Sequence, residues 1–367
     1  MSAGPSTSGS DLAERMRREV ERSILRARNG IRYVTTAPNV GATPKAVVWR
    51  RCRAELWRYH GGPIEYDPPL VFVPSIVSRS YILDLRPGSS TVEFFLGQGV
   101  DVFLLDWGVA DERDAENTIE TYVDEYLPRA VAAVGRETGC DEVTLVGYCL
   151  GGVFAFLYAS GRDDAAVRNV VLLATPMDFT QMGSWVAPVV EGRLEPDDIV
   201  DETGNVPADA LYAGFYMQAP TKELALYATL LENLWNDEFV DGYQAMAQWS
   251  REQLPFPGAA ARQVIDELVR KNVLMTGKMR LGGRVVDFAD FDGHVLNAFA
   301  EKDNVVAPAA AQPASALVGK AARRHELRLG GGHVTFATGS RAFKQTLPAI
   351  MAWLAEHSDA LDLPRER

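Results

Sequence analysis

A short apolar run leads to a cysteine that lies between two glycines in the stretch Val143-Thr144-Leu145-Val146-Gly147-Tyr148-Cys149-Leu150-Gly151-Gly152. A second apolar segment, residues 153–158, follows at once. This pattern predicts a nucleophile elbow, a strained turn between a strand and a helix that lifts one side chain above the edge of a sheet. Glycine suits such a turn because it tolerates unusual backbone angles and close contact between strand and helix. The alternative is a structural thiol, since free cysteine is among the most often buried residue types.

Apolar runs that alternate with helical patterns extend over much of the chain after residue 70. The predicted strands are residues 70–73, 101–106, 143–146, 169–174, 294–300 and 325–329. Most are almost continuously apolar, which is typical of a parallel sheet with helices on both faces. Reacting groups in such sheets lie at the carboxyl ends of the strands, and Cys149 follows the end of one of them.

The alternation of predicted strands and helices stops between residues 179 and 258. This segment contains no clear strand, is rich in aromatic residues and includes an amphipathic helical pattern (Leu224, Tyr227, Leu231 and Leu234). A helical, aromatic insertion between sheet strands is typical of a cap over an active site, and the alternative is a subdomain that serves stability only. We therefore divide the chain into a disordered tail (1–9), a helical and extended N-terminal segment (10–60), a core (61–178 and 259–367) and an inserted cap (179–258).

The N-terminal segment carries apolar residues at helical spacing and charges of alternating sign. Ser10 or Asp11 can cap a helix, and Gly30 predicts its end. The favoured interpretation is a helix that packs a narrow apolar stripe and exposes its charged face. The alternative is a helix that docks onto a partner.

Two polar residues complete a constellation around Cys149. Asp303 directly follows one predicted strand, and His333 lies in a glycine-rich loop after the next. The order Cys149, Asp303, His333 is the order of nucleophile, acid and histidine in α/β-hydrolases, so we expect that fold with its catalytic triad. A neutral imidazole would take the proton of the thiol, and the carboxylate would hold the imidazole tautomer. Alternatively, Asp303 only caps a helix and His333 is a structural loop residue.

Composition excludes several other classes of function. The net charge of −12 disfavours nucleic acid or anionic lipid as the main partner. Three cysteines in 367 residues argue against a disulfide framework and suit a reducing cytosol, and the N-terminus lacks a secretion signal. We expect neither a metal nor another cofactor, because no C-x-x-C or H-E-x-x-H pattern occurs.

The sequence resembles the poly(3-hydroxyalkanoate) synthases. The most specific matches are Tyr81-Ile82-Leu83-Asp84-Leu85-Arg86-Pro87-Gly88 and the cysteine box Gly147-Tyr148-Cys149-Leu150-Gly151-Gly152. Residues 102–107, 174–179, 281–287, 295–303 and 331–333 add weaker matches. The short chain is similar to the class III and IV catalytic subunits of this family.

The resemblance implies an acyltransferase that polymerises (R)-3-hydroxyacyl-CoA into a polyester and releases CoA. Cys149 would carry the growing chain as a thioester, His333 would activate the thiol, and Asp303 would support attack by the next hydroxyl, directly or through His333. The backbone N–H of Leu150 would be one oxyanion donor and that of Val77 the other. The expected partners are the acyl-CoA, the polymer granule surface in the cytoplasm and a second, non-homologous subunit, and the resemblance also allows a homodimer.

The sequence departs from the family pattern at three positions. Asn304 stands where the family usually has histidine, Val334 and Thr335 stand where it tends towards Ile-Gly, and Ser78 stands where asparagine is usual. Two other functions remain open at this point. One is a cysteine-dependent hydrolase (an esterase, a thioesterase or one resembling dienelactone hydrolases), and the other is an inactive granule-associated homologue.

Overall fold

A computed structural model of the protein describes residues 9–162, 166–183, 186–217, 222–319 and 323–366. The predicted disordered tail lies outside the described residues except for Gly9, which begins the first helix. No helix in the described ranges is both long and apolar enough to cross a bilayer.

One large sheet forms the centre of the molecule. The strands of the described residues, of which β7 to β10 lie outside this sheet, are β1 (Lys45–Arg51), β2 (Ala54–Tyr59), β3 (Ile64–Val73), β4 (Val100–Asp106), β5 (Val143–Tyr148), β6 (Val167–Leu173), β7 (Asn205–Val206), β8 (Phe256–Pro257), β9 (Lys278–Leu281), β10 (Arg284–Asp287), β11 (His294–Ala300), β12 (Arg323–Leu329) and β13 (Asp359–Arg365). The sheet has the order β1-β2-β4-β3-β5-β6-β11-β12, and β13 pairs with the first half of β3. In this spatial order, every pair of neighbouring strands between β4 and β12 is parallel, which confirms the predicted sheet.

Helices cover both faces of this sheet. The α-helices of the described residues are α1 (Gly9–Thr35), α2 (Thr91–Gly97), α3 (Leu127–Thr138), α4 (Leu150–Ser160), α5 (Ala187–Val190), α6 (Ala208–Met217), α7 (Lys222–Asn233), α8 (Asp237–Arg251), α9 (Gly258–Gln263), α10 (Pro308–Ala311), α11 (Ala314–Leu317), α12 (Gly339–Arg341) and α13 (Leu347–Glu356). Two buried apolar clusters lie on opposite faces of the sheet, one containing residues of α3 and α4 and the other residues of α2 and α13. Every residue of α4 is buried, because this helix lies between the sheet and the helices around it.

Strands β1, β2 and β13 and the end of α1 differ from the sequence prediction. Strands β1 and β2, in the segment 10–60, pair antiparallel with each other, and β2 continues the sheet by pairing with β4. Polar residues interrupt β2 and β13, and those at both ends of β1 leave only a short apolar run, so none of the three has the long apolar run of a central strand. Gly30 does not end α1, which continues to Thr35; a single glycine inside a helix costs only about 1 kcal/mol.

The segment between β6 and β11 contains helices α5 to α9 and the hairpin β9–β10. Within the described residues of this segment, β7 and β8 form one short antiparallel pair. The division of the chain into core and cap stays a prediction.

Candidate active site

The elbow is built where β5 ends and α4 begins. Cys149 lies between them with φ 55° and ψ −126°, a conformation that is strained for any residue with a side chain. Its N–H donates to the C=O of Leu173 at 2.9 Å, which continues the pairing of β5 with β6 up to the turn. The half-buried Cys149 side chain therefore lies at the carboxyl edge of the sheet, at the first turn of α4.

The elbow glycines are needed because other chain segments lie against them. A Cβ at Gly147 would be 2.3 Å from the Cα of Gly152, and a Cβ at Gly152 would be 1.9 Å from Oγ1 of Thr175. A Cβ at Gly151 would be 2.2 Å from the C=O oxygen of Val73, at the end of β3. No side chain fits at these distances, so the three glycines bring strand, helix and the loop after β3 into direct contact.

Asp303 and His333 meet because β11 and β12 are parallel neighbours. The pairing extends beyond both strands, where the N–H of Lys302 donates to the C=O of Gly331 at 2.9 Å. Nδ1 of His333 then donates to Oδ2 of Asp303 at 2.8 Å. The other carboxylate oxygen, Oδ1, accepts from the N–H groups of Val305 at 2.8 Å and Val306 at 2.9 Å. The Asp303 side chain is 0% exposed and that of His333 is 11% exposed, so the pair is held rigidly with little solvent around it.

The electrostatics of the site favour a charged imidazole. Burial alone lowers the pKa of His333, but the negative charge of Cys149 and the hydrogen bond and charge of Asp303 outweigh it. Together they raise the pKa of His333 from its usual 6.5 to about 10. Since Nδ1 is bound to Asp303, Nε2 is the nitrogen left for the hydrogen bond with Cys149. The site thus places a positively charged ring beside the nucleophile, which is the kind of surrounding that activates a cysteine.

Tyr148, the residue before Cys149, holds His333 in place. Its hydroxyl donates to the backbone C=O of His333 at 3.1 Å, and the two ring centroids are 5.2 Å apart. Burial, together with the charges of Cys149 and Asp303, raises the pKa of Tyr148 well above its usual value, so the hydroxyl stays a donor. This role was not predicted from the sequence, in which the only signal for it is the position of Tyr148 beside Cys149.

The two expected oxyanion donors lie on the elements that flank the elbow. Leu150 is the first residue of α4, where backbone N–H groups lack helical partners. Val77 lies in the loop of residues 74–79 that follows β3, which we call the β3 loop, and its C=O accepts from the N–H of Leu254 at 3.0 Å. The roles of Leu150 and Val77 stay predictions, as do the catalytic roles of the triad residues.

Further contacts hold the β3 loop in place. The indole of Trp107 donates to the C=O of Pro74 at 2.9 Å, and the indole of Trp249, on α8, donates to the C=O of Arg79 at 2.9 Å. Ser78 is buried and forms an antiparallel bridge with Gln253. The segment that follows α8 thus pairs with the β3 loop through backbone contacts, as a short antiparallel strand would.

The three departures from the family pattern fall around this site. Asn304 is exposed beside the buried Asp303. Thr335 closes the histidine loop, since its Oγ1 donates to the C=O of Gly332 at 2.6 Å. Ser78, the third, lies in the bridge to Gln253. Each is accommodated without displacing a member of the Cys149, Asp303 and His333 constellation.

No cluster of three or more histidine, cysteine or acidic side chains able to hold a metal ion occurs within the described part of the chain.

Two sequence profiles match the chain. One, described as alpha/beta hydrolase fold, matches residues 68–340. The other, described as the N-terminus of poly-beta-hydroxybutyrate polymerase (PhaC), matches residues 10–95. Among solved structures, a putative lipase from Acinetobacter baumannii is similar with a TM-score of 0.51 and 11% identity, covering 97% of this chain and 99% of that one. A putative lipase from Sulfolobus solfataricus also has a TM-score of 0.51, with 13% identity and coverage of 85% and 99%. These structures show the α/β-hydrolase fold alone.

Several relatives are similar over most of this chain, and three of them, each named poly(3-hydroxyalkanoate) polymerase subunit PhaC, are described here. The protein from Allochromatium vinosum is 32% identical over 324 residues, which cover 87% of this chain and 90% of the relative. The protein from Thiocystis violacea is 31% identical, with coverage of 88% and 91%. The protein from Haloferax mediterranei is 31% identical, and the aligned part covers 88% of this chain and 65% of that relative.

Proposed function

The chain belongs to the family of poly(3-hydroxyalkanoate) polymerases, and on that basis we propose that it is an acyltransferase that polymerises (R)-3-hydroxyacyl-CoA into a polyester and releases CoA. The observation that carries the proposal is the elbow cysteine paired with His333 in a chain that is 32% identical to a polymerase subunit over 90% of that relative. The acyl-CoA is the substrate, and the proposed chemistry needs no further cofactor.

In the first step, the thiolate of Cys149 attacks the thioester carbonyl carbon of the acyl-CoA. A new C–S bond forms to Cys149 and the bond to the CoA sulfur breaks. The imidazolium of His333 gives its proton to the departing CoA thiolate, so CoA leaves as the free thiol. The raised pKa of His333 supports this role, because the ring already holds the proton before the attack begins.

In the second step, the 3-hydroxyl of another acyl unit attacks the thioester on Cys149. His333, now neutral, takes the hydroxyl proton as the C–O bond forms, and Cys149 leaves as a thiolate. The initial pair of thiolate and imidazolium is thereby restored. The first step exchanges one thioester for another, and the second forms a more stable oxygen ester, so elongation runs downhill.

Asp303 acts through His333 in this scheme. Both of its oxygens are occupied, Oδ2 by His333 and Oδ1 by the backbone N–H groups of Val305 and Val306. Its side chain is fully buried, which leaves no free oxygen for direct contact with an incoming hydroxyl. The carboxylate fixes the tautomer and orientation of the ring and stabilises its positive charge.

Both tetrahedral intermediates place a negative charge on the former carbonyl oxygen. The N–H of Leu150, at the start of α4, and the N–H of Val77, in the β3 loop, are the donors that we propose for it. The α4 N-terminus adds its dipole to the first of them. The contacts of the loop with Trp107, Trp249 and Leu254 support a fixed position for the second.

The relatives are named as subunits, which supports a partner for this chain as well. We propose that it works with a second, non-homologous subunit at the surface of the polymer granule in the cytoplasm.

The test is incubation of the purified chain with (R)-3-hydroxybutyryl-CoA, following free thiol and product size together. The polymerase predicts thiol release and insoluble polymer, both of which are lost in Cys149→Ala. Thiol release with only free hydroxy acid would instead assign a hydrolase. If neither product appears, even with candidate second subunits added, the chain is not a polymerase and the inactive granule-associated homologue is the better assignment.

A further inference from the structure

A pair of histidines lies at the end of the sheet opposite to the candidate active site. His294 is the first residue of β11, and His357 directly follows α13. Their ring centroids are 4.5 Å apart. Cys149, Asp303 and His333 instead follow the carboxyl ends of β5, β11 and β12. The pair therefore takes no part in the proposed acyl transfer.

Three buried polar atoms around this pair have no hydrogen-bond partner among the described residues. They are Nδ1 of His294, Nε2 of His357 and Oδ1 of Asn169. Buried polar groups nearly always have a partner, so three such atoms in one place indicate a bound group. We call Asn169, His294 and His357 the histidine cluster.

The pairing of the strands brings Asn169 to the two histidines. Asn169 lies on β6 directly opposite His294 in the parallel pairing with β11, so both side chains point to the same face of the sheet. Its Nδ2 donates to the backbone C=O of His357 at 3.1 Å. Asn169 is 0% exposed and His357 is 8% exposed, so a group bound between them is largely shielded from solvent.

The tautomer of His357 follows from the contact of its other nitrogen. Nδ1 lies 2.7 Å from the C=O oxygen of Trp353, which can only accept, so Nδ1 carries the proton and Nε2 offers a lone pair. The Trp353 ring stacks on the imidazole with centroids 4.4 Å apart. A histidine fixed in this way by a backbone C=O is typical of a metal ligand, because the bond sets both the tautomer and the orientation of the ring.

The spacing of the two rings suits a single ion. Zinc binds an imidazole nitrogen at about 2.0–2.1 Å, so two rings on the same ion have their centroids about 5 Å apart. The observed separation of 4.5 Å is close to that value, and small rotations of the side chains reach it. His294 is half-buried, so solvent can supply a further ligand.

The charged side chains around the cluster balance one another. Arg168 and Arg323 act on His294 as positive charges, and Glu142 acts on it as a negative one. Arg168 is paired with Glu142 at 2.8 Å and with Asp359 at 2.6 Å. Two positive and two negative groups therefore surround the cluster, and their charges leave it open to a cation.

We propose that the histidine cluster binds one divalent transition-metal ion through Nδ1 of His294, Nε2 of His357 and Oδ1 of Asn169. Imidazole is a good ligand for zinc, copper and nickel. The ion joins β6 and β11 to the end of α13 and so stabilises the fold away from Cys149. No short sequence pattern marks this site, because its residues lie far apart in the chain and meet only after folding.

Calorimetric titration of zinc into the untagged chain tests the proposal. The chain carries Cys52→Ser and Cys149→Ala, because thiols are themselves zinc ligands. We expect one ion per chain, and loss of that binding in His294→Gln and in His357→Gln. The matched control is His60→Gln, at an exposed histidine after β2, which should bind zinc unchanged. Binding that is absent, or that survives both substitutions in the cluster, would overturn the proposal.

Nuclear magnetic resonance of histidine-labelled protein identifies the ligands without replacing them. Zinc should shift the ring-nitrogen signals of His294 and His357 and leave those of His60, His325 and His333 in place. This result does not depend on how well the substituted chains fold. A shift at His333 with none at the cluster would place the ion in the active site, and the proposal would be wrong.

A single water molecule is the competing occupant, since it can donate to Nε2 of His357 and to Oδ1 of Asn169 at once. Thermal unfolding separates the two. At a zinc concentration a hundredfold above its Kd, the melting temperature should rise by about 3 °C, and a chelator should reverse the rise. A melting temperature that zinc leaves unchanged would assign the site to water and overturn the proposal. Polymerase activity enters none of these readouts, so they are independent of the proposed function.

Discussion

The indole N–H of Trp249 donates to the backbone C=O of Arg79 at 2.9 Å, which joins helix α8 to the β3 loop. Three residues after Trp249, Glu252 accepts a hydrogen bond from the hydroxyl of Tyr81 at 2.9 Å. Leu254 then donates to Val77. The position of the proposed oxyanion donor therefore depends on α8 and the residues that follow it.

Replacing Trp249 with phenylalanine should slow turnover more than it weakens substrate binding. The variant keeps an aromatic ring but loses the bond to Arg79, so the N–H of Val77 is held less firmly when negative charge develops. Loss of a whole oxyanion donor costs about 10²–10³ in kcat, so loosening one should cost about tenfold, with KM little changed. Steady-state kinetics of CoA release give both constants.

The control for this variant is Trp57→Phe. Trp57 also donates one indole hydrogen bond, to Glu55 at 2.8 Å, but it lies on β2. Equal losses of kcat in the two variants would mean that the effect of Trp249 is general destabilisation, and the positioning role would be wrong.

Cys149→Ser should abolish polymer formation while preserving the fold. A serine hydroxyl is not ionised beside His333 and forms an ester in place of a thioester, so chain transfer loses its driving force. We expect a fall of at least about 10³-fold in CoA release, as for removal of a nucleophile in other triad enzymes. The matched control is Cys140→Ser, at a half-buried cysteine that contacts Asp67 at 3.2 Å on another edge of the sheet. A Cys149→Ser variant that still makes polymer would exclude the cysteine mechanism.

The sequence predicted the central sheet and the turn at Cys149 for a physical reason. Strands such as β5 and β6 are buried on both faces and are therefore almost continuously apolar, a signal that needs no knowledge of their neighbours. The elbow is equally local, because the glycines and Cys149 that build it lie within six residues of one another.

Features that depend on distant pairing escaped the sequence analysis. Strand β13 contains a proline and mostly exposed residues, and only its pairing with β3 makes it a strand. Tyr148 supports His333 across 185 positions of the chain, and Trp249 reaches Arg79 across 170. The prediction that α1 packs its apolar residues inward is wrong for Val20 and Ile24, which are exposed, because the side of α1 that carries Asn29 and Arg32 binds polar residues of α8.

Gly151→Ala should destabilise the protein strongly. The new Cβ would be 2.2 Å from the C=O oxygen of Val73 and 2.3 Å from that of Pro74, and both are backbone atoms that cannot rotate away. We expect a loss of about 3 kcal/mol in the free energy of unfolding, as for severe overpacking. Gly214→Ala is the matched control, since nothing lies within 4 Å of a Cβ there and its place inside α6 should give a gain of up to about 1 kcal/mol. Urea denaturation of both variants measures the difference, and an equal effect at the two positions would contradict the packing of the elbow.

Titration of His333 should show separately how far Cys149 and Asp303 each raise its pKa. In the wild-type protein the pKa of His333 is about 10. Cys149→Ala removes the thiolate charge and Asp303→Asn removes the carboxylate, so each should lower that pKa towards the value set by burial. Nuclear magnetic resonance of histidine-labelled protein follows the ring directly. A midpoint that stays near 10 in both variants would show that neither neighbour charges the imidazole.

The raised pKa of His333 should also make the free energy of unfolding depend on pH between 6.5 and about 10. Because the pKa of His333 is raised from 6.5 to about 10 on folding, the folded state binds its proton more tightly than the unfolded state. The resulting stabilisation is complete below pH 6.5 and is lost as the pH rises through about 10. The free energy of unfolding of the wild type, minus that of His333→Gln, should therefore stay constant below pH 6.5 and decrease steadily between pH 6.5 and 10. Chemical denaturation at a series of pH values gives this difference, and one that increases with pH would mean that the ring is buried in its neutral form.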